Sequence, residues 1–316
     1  MVLVTHNRSR FLRLALRSLM LQTVLPREII IIDDASRTPV ARDIVDIAKE
    51  YRSLGVTIRI LRTKREIGLG AARSIGARIA LGRYIVFLDD DAIASKQLIE
   101  SYIETFKSSR CDIVAGPCYP RYLGLSCQRL PLWWDEVVLG GLIAVRNDIV
   151  YLSGEAKSPA DYVFGCNFAI SKYVLKKVKG FKPWLGRIKG TLLSGEEWDF
   201  VTRALNKGFR VCFAKKAIVF HLIPYTKISI ERIRRMGIGM GKTRCLLAYE
   251  HCLDKSLSFY LLRCATALYK DLIEMPIHLL LNDRPKFIRD LYNLIVHSTS
   301  FLMCKRVLKD RAQLFQ

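Results

Sequence analysis

Residues 84–91 read YIVFLDDD, an apolar run that passes straight into three carboxylates. Such a run, with Gly82 just upstream, predicts a strand buried on both faces, and strands of that kind belong to sheets covered by helices on each side. In an open α/β sheet, ligands bind beyond the carboxyl ends of the strands, where Asp89, Asp90 and Asp91 fall. Alternation along an extended chain would turn Asp89 and Asp91 to one side and Asp90 to the other. Adjacent carboxylates repel and raise one another's pKa unless a cation neutralises them. A hard divalent ion, its shell completed by phosphate oxygens, suits such a place. A helix N-cap with acid in the first turn also fits the helical pattern after Ser95, although a cap needs one acid and not three.

The surrounding chain alternates in the same sense. Strands are predicted at 2–5, 28–32, 56–61 and 112–115, and helices over 11–21, 40–54, 68–81 and about 95–107. This alternation implies a mostly parallel sheet with right-handed crossovers. IIIIDDAS gives a second acidic strand tip, where Asp33 and Asp34 can accept hydrogen bonds from a base or a ribose. GLGAARS could bring backbone amides and Arg73 toward a phosphate at a helix N-terminus. Its glycines do not complete GxGxxG, and small residues would equally let that helix pack closely on the sheet.

Composition narrows the partners. The 316 residues are 51% hydrophobic and 25% charged, which is a folded protein with room for one large domain or two smaller ones. The net charge of +22 favours anionic partners: nucleotides, nucleic acid or an acidic membrane surface. Nine cysteines without a CxxC pair or metal-type spacing predict a reduced, cytosolic compartment. MVLVT already reads as a core strand, so no signal peptide is expected.

The segments VTHNRSRFLRLALRSLMLQT, EIIIIDDAS, IGLGAARSIGARIALGRYIVFLDDDA, GCNFAISKYVLKKVKGF, GEEWDFVTRALNKGFRV and IVFH, in this order, resemble the nucleotide-sugar-dependent glycosyltransferases of family 2, which have the GT-A fold. The resemblance spans roughly residues 1–221. It implies an α/β fold with a mostly parallel sheet flanked by helices, and an inverting, metal-dependent transfer from a nucleoside diphosphate sugar. It implies Thr5, Asp33 and Asp34 as nucleoside contacts, Arg73 near the nucleotide, and Asp89, Asp90 and Asp91 as the DxD segment that meets donor and metal. Asp89 and Asp91 would hold Mn2+ or Mg2+, the last acid foremost. His221, at the end of a strand over 217–220, matches histidines that ligate the metal in some GT-A enzymes, and also reads as a plain core or surface histidine. Glu197 falls at the catalytic base, usually Asp in an ED pair; here the pair is EE, which keeps the carboxylate and adds a methylene. Asp199 would point away from Glu197, to solvent or to Arg203 at i+4. Ser74 stands where Asn is frequent.

Residues 118–135 carry Trp133 and Trp134 beside Arg121 and Arg129, which suits sugar stacking or a lipid-phosphate acceptor, and equally a loop pinned by its aromatics. RIRRMGIGMGKT lacks the first glycine of a P-loop and follows no strand, so it reads as helix. The stretches 257–281 and 287–302 are apolar but interrupted by charge, and neither supplies a clean span of about 20 residues. They read as amphipathic helices on an anionic membrane surface or as padding for a domain or a dimer interface.

The expected organisation is a GT-A catalytic domain over 1–223, with a nucleotide part to about 116 and an acceptor part after it, then a helical extension over 224–316. The expected partners are a nucleoside diphosphate sugar, a glycan or lipid-linked acceptor and an anionic membrane surface, with no nucleic acid. The expected location is the cytoplasm, peripheral on the inner face of the cell membrane. A nucleotidyltransferase would also use metal and nucleotide contacts, but has no obvious use for Glu197. A basic membrane- or nucleic-acid-binding protein would leave the clustered carboxylates without a role.

Overall fold

Isoleucine-rich strands sort their side chains to two sides, and two cores form around one sheet. The structure is a computed structural model that describes residues 1–124, 163–251 and 254–314. Strands β1 (Val2–Thr5), β2 (Glu28–Asp33), β3 (Thr57–Arg62), β4 (Tyr84–Leu88), β6 (Ile113–Ala115), β8 (Asn167–Ser171) and β9 (Val211–Phe213) form one sheet ordered β3-β2-β1-β4-β8-β6-β9. Only β8 runs against its neighbours. In β2, Ile29 and Ile31 enter one core and Ile30 and Ile32 the other, so the strand reads as a continuous apolar run.

The first core is closed by α1 (Ser9–Met20), α3 (Val45–Ser53) and α5 (Leu98–Ser108), through Leu12, Leu16, Ile47, Tyr51, Leu98 and Tyr102. The second is closed by α4 (Leu69–Ile79), α6 (Lys172–Val178) and α7 (Glu196–Leu205), through Ala72, Ala77, Val174, Phe200 and Val201. A Cβ on Gly76 of α4 would lie 2.5 Å from Cγ1 of Val2, so the small residues of this helix serve close packing on the sheet. The single helix expected over 40–54 is two, α2 (Val40–Asp43) and α3, divided at Ile44, whose φ of -122° leaves the helical range.

A second sheet, not anticipated, has the order β5 (Ala92–Ala94), β10 (Val219–Pro224), β7 (Cys118–Leu123), with β5 antiparallel to β10. β10 answers to the strand expected over 217–220, but β5 and β7 were hidden because β5 is three residues long and β7 carries a proline. A disulfide joins Cys111 to Cys212, whose Cα atoms are 6.0 Å apart across a sequence separation of 101. The pairing of β6 with β9 brings them together, which spacing in the sequence could not reveal, and it departs from the fully reduced set expected.

Among the described residues, 1–123, 163–189 and 196–223 make one compact unit, and 124, 190–195 and 224–314 another. The second unit holds α8 (Ile230–His251), α9 (Asp254–Leu280) and α10 (Arg284–Leu314). Asp271 meets His297 at 2.6 Å and His278 meets Asp290 at 2.5 Å. The two pairs lie seven residues apart on each helix in opposite order, which fixes α9 and α10 as antiparallel. GIGMG lies inside α8. A Cβ on Gly237 or Gly241 would strike Ile295 or the Val296 carbonyl of α10, and one on Gly239 the Leu192 carbonyl at 2.3 Å. The glycines are contact surfaces, in accord with the reading of this run as helix.

Candidate active site

All the site residues expected from the sequence belong to the first unit, around the carboxyl ends of β1, β2 and β4. Thr5 is opposite Asp33 in the β1–β2 ladder. β4 ends at Leu88, and Asp89, Asp90 and Asp91 lie in the turn before β5. Strand alternation therefore stops short of them, and the expected opposition of Asp90 to its neighbours does not hold. Asp90 and Asp91 are both buried and share Arg8: Nη1 of Arg8 is 2.9 Å from Oδ1 of Asp90, and Nη2 donates to Oδ2 of Asp91. Thr5 donates from Oγ1 to Oδ2 of Asp90 at 2.8 Å. Burial pushes the Asp90 carboxyl up to about 7, with Arg8 pulling it down and Asp91 adding to the rise. Arg8 was not singled out from the sequence; its place just after β1, the neighbour of β4, was the available signal.

Asp89 is the exposed member of the three, with 30% of its side chain open, and it receives a hydrogen bond of 2.7 Å from Nη2 of Arg73. Arg73 is buried, and it also donates to the Gly165 carbonyl and to Oε1 of Glu196. Burial works against its charge, but Asp89, Glu196 and Glu197 outweigh burial and keep its pKa raised. It is thus a tie between β4, the Gly165 turn and α7.

Asp33 and Asp34 are buried and hold backbone. Asp33 accepts from the amides of Ser36 and Val40, at 3.0 and 3.2 Å. Asp34 accepts from Ile67 and Gly68, both at 2.9 Å, and from the Thr63 hydroxyl. The Gly68 amide is thereby taken, and that of Leu69 donates to the Arg187 carbonyl at 3.1 Å. The amides of Gly68 and Leu69 at the start of α4 therefore find acceptors within the protein.

His221 faces Ala92 in the β5–β10 ladder, in mid-strand and not at its end. Its Nε2 is 3.3 Å from Oδ2 of Asp91, and its buried Nδ1 has no hydrogen-bond partner among the described residues. Burial favours the neutral ring, but the Asp91 charge and hydrogen bond leave its pKa raised. Of the expected metal ligands, Asp91 and His221 are brought together while Asp89 turns to Arg73. Among the described residues, no three His, Cys, Asp or Glu side chains are already gathered as an ion site. The sulfurs of Cys118 and Cys166 lie 3.3 Å apart nearby, a pair that sequence spacing did not suggest.

The acids in the first turn of α7 differ in their partners, and the side chains of Glu196 and Glu197 remain hydrogen-bonded to each other. Glu196 goes to Arg73. Asp199, fully buried and so not directed to solvent, accepts from Nε and Nη2 of Arg203 at 2.8 and 2.6 Å. Arg203 in turn donates to the Val178 and Gly180 carbonyls. Glu197 keeps a buried Oε2 with no hydrogen-bond partner among the described residues. Burial and the Glu196 charge push its carboxyl up to about 8, against the pull of Arg73. A Cβ on Gly165 would come within 3.3 Å of the Glu197 carboxyl carbon and 2.9 Å of Arg73, so a glycine there leaves both in place. Trp133, Trp134 and Arg129 lie outside the described residues; Arg121 is exposed on β7.

Comparison with known proteins gives this arrangement a family. The model for Glycosyl transferase family 2 matches residues 1–178. An uncharacterized glycosyltransferase of Methanocaldococcus jannaschii is 30% identical over 239 residues, 75% of this chain and 74% of that protein. A cholesterol galactosyltransferase of Borreliella burgdorferi is 26% identical over 76% of this chain, which spans 64% of that protein's length. A dodecaprenyl-phosphate galacturonate synthase of Rhizobium johnstonii is 27% identical over 72% of this chain and 67% of its own. Among solved structures, a mannosyltransferase from Pyrobaculum calidifontis in complex with GDP-Man and Mn2+ superposes with a TM-score of 0.59 at 16% identity, covering 95% of this chain and 85% of that one. That last likeness is one of fold, the GT-A fold. The chain belongs to glycosyl transferase family 2 and is a glycosyltransferase.

Proposed function

We propose that the protein moves a sugar from a nucleoside diphosphate donor to an acceptor hydroxyl with inversion, and that Glu197 is the base. The carrying observation is the buried, unpartnered Oε2 of Glu197. Burying a polar atom without a partner is costly, and such an atom is a place where a substrate group would be held. With its pKa pushed up to about 8, the carboxylate is a stronger base than an ordinary glutamate. Glu196 is tied to Arg73 and Asp199 to Arg203, which holds α7 and leaves the Oε2 of Glu197 to take the acceptor proton.

On the donor side, Thr5, Asp33 and Asp34 form the floor for the nucleoside; the two aspartates fix the loops there and retain lone pairs for base or ribose. Asp90, held by Thr5 and Arg8, supports the diphosphate end, and Arg73 acts on the donor through Asp89. Asp89, Asp91 and His221 are two carboxylates and an imidazole, a donor set suited to Mn2+ or Mg2+. Bound there, the ion would neutralise charge on the departing diphosphate. Residues 1–223 would be the catalytic domain, with nucleotide contacts up to about 116, and 224–316 its helical extension. The acceptor is a glycan or a lipid-linked hydroxyl, for which the name of the Borreliella relative, a cholesterol galactosyltransferase, is support. An enzyme with such an acceptor works at the inner face of the cell membrane, as a peripheral protein.

The test is a thermal-shift screen of nucleoside diphosphate sugars with Mn2+ or Mg2+, followed by nuclear magnetic resonance of the product. One donor should stabilise the protein in a metal-dependent way, the shift should vanish in Asp91→Ala, and the new linkage should carry the anomeric configuration opposite to the donor's. Retention of configuration would contradict the proposal.

A further inference from the structure

The outward side of α9 carries side chains ill suited to water. Leu257, Cys264, Asp271 and His278 recur every seven residues and turn inward, the polar two onto α10. On the opposite side, Phe259, Leu262, Tyr269, Ile273, Ile277 and Leu280 recur at helical spacing, and all are exposed. Leu280 is 85% open and Tyr269 70%. Single exposed apolar residues are ordinary, but a stripe along a 27-residue helix, interrupted on this face by Thr266, marks an interaction surface.

Charge selects the partner. Arg263 and Lys270 follow Leu262 and Tyr269 directly and flank the stripe, both exposed. Of the acids nearby, Asp271 is turned inward to His297, and Glu274 lies beside Lys270 at 3.5 Å. The whole chain carries +22. Anionic headgroups would pair with Arg263 and Lys270 while their aliphatic stems cover the apolar edge. Among the described residues, no helix is long and apolar enough to cross a membrane. A stripe of this kind lies along an interface, its apolar side chains at the headgroup boundary.

We propose that the outward face of α9 docks the protein on an anionic lipid surface, the stripe from Phe259 to Leu280 entering the boundary and Arg263 and Lys270 reaching lipid phosphates. The inference deepens the proposed function by naming the face that meets the membrane, and it can be read with no nucleotide sugar present, so it stands or falls apart from sugar transfer.

The full chain is to be co-sedimented with vesicles of phosphatidylcholine alone and of an equimolar mixture with phosphatidylglycerol. The wild type should bind the mixed vesicles and release partly at high salt. Leu262→Glu/Ile273→Glu/Leu280→Glu should lower partitioning by about tenfold or more, since each change removes apolar area from the boundary and adds a charge that anionic headgroups repel. Circular dichroism should show an unchanged fold, because the three positions are exposed. Arg263→Gln/Lys270→Gln, which leaves the stripe intact, should weaken binding to mixed vesicles and flatten the salt dependence. Vesicle binding undiminished in both variants would overturn the proposal. So would a wild type that ignores vesicles and forms a dimer that the triple variant abolishes, which would assign the face to a second copy.

Discussion

Three acids within one helical turn, Glu196, Glu197 and Asp199, end in three different situations, and burial plus partner explains each. Two are neutralised by arginines; the third is left with a carboxyl pushed up to about 8. That shift has a consequence for stability. The folded-state value lies above the ordinary glutamate value of about 4.3, so between them the native state holds a proton that the unfolded chain has lost. Stability therefore falls as pH rises through that window. Glu197→Gln removes the titration, so its melting temperature should exceed the wild type's by a margin that grows from pH 5 to pH 8 in thermal unfolding. A margin independent of pH would mean that the carboxyl is not shifted. The same shift predicts that kcat/KM for transfer rises with pH up to about 8. Residue types and their place at a strand end made Asp89 and Asp91 visible beforehand, and the family resemblance singled out Glu197. Arg8 and the Cys118–Cys166 pair were not visible, because each owes its role to a neighbour that only the sheet order supplies.

At the scale of elements, legibility followed length and periodicity. β2 and β4 were plain as unbroken apolar runs, and α9 and α10 as long apolar stretches. β5 and β7 were missed because three residues carry no period and a proline argues against a strand. α8 shows the opposite case, where a glycine-rich run could be read as helix because no strand precedes it. Gly237 and Gly241, one turn apart, let α10 approach, and a Cβ on Gly241 would lie 2.6 Å from the Val296 carbonyl. Gly241→Ala gains helix propensity of about 0.8–1 kcal/mol but forces backbone apart, which costs about 1–3 kcal/mol. The expected outcome of urea unfolding is a net loss of stability. A stabilised variant would show that α8 and α10 are not so closely packed.

For the whole molecule, the split of each strand's side chains between two cores explains why a family-2 glycosyltransferase can be recognised from patches of sequence: the apolar runs are the fold, and acids stand at their tips. The disulfide required a structure, because residues 101 apart in sequence leave no local mark. The central claim is that Glu197 takes the acceptor proton while Glu196 and Asp199 hold its helix. Its most direct test compares transfer rate and donor dissociation constant for Glu197→Gln and Asp199→Asn. Glu197→Gln should lower kcat by about 10²-fold or more with donor affinity unchanged. Asp199→Asn, which loosens Arg203 and its hold on the Val178 and Gly180 carbonyls, should lose stability and keep turnover. An inactive Asp199→Asn beside a Glu197→Gln that still turns over would contradict the account.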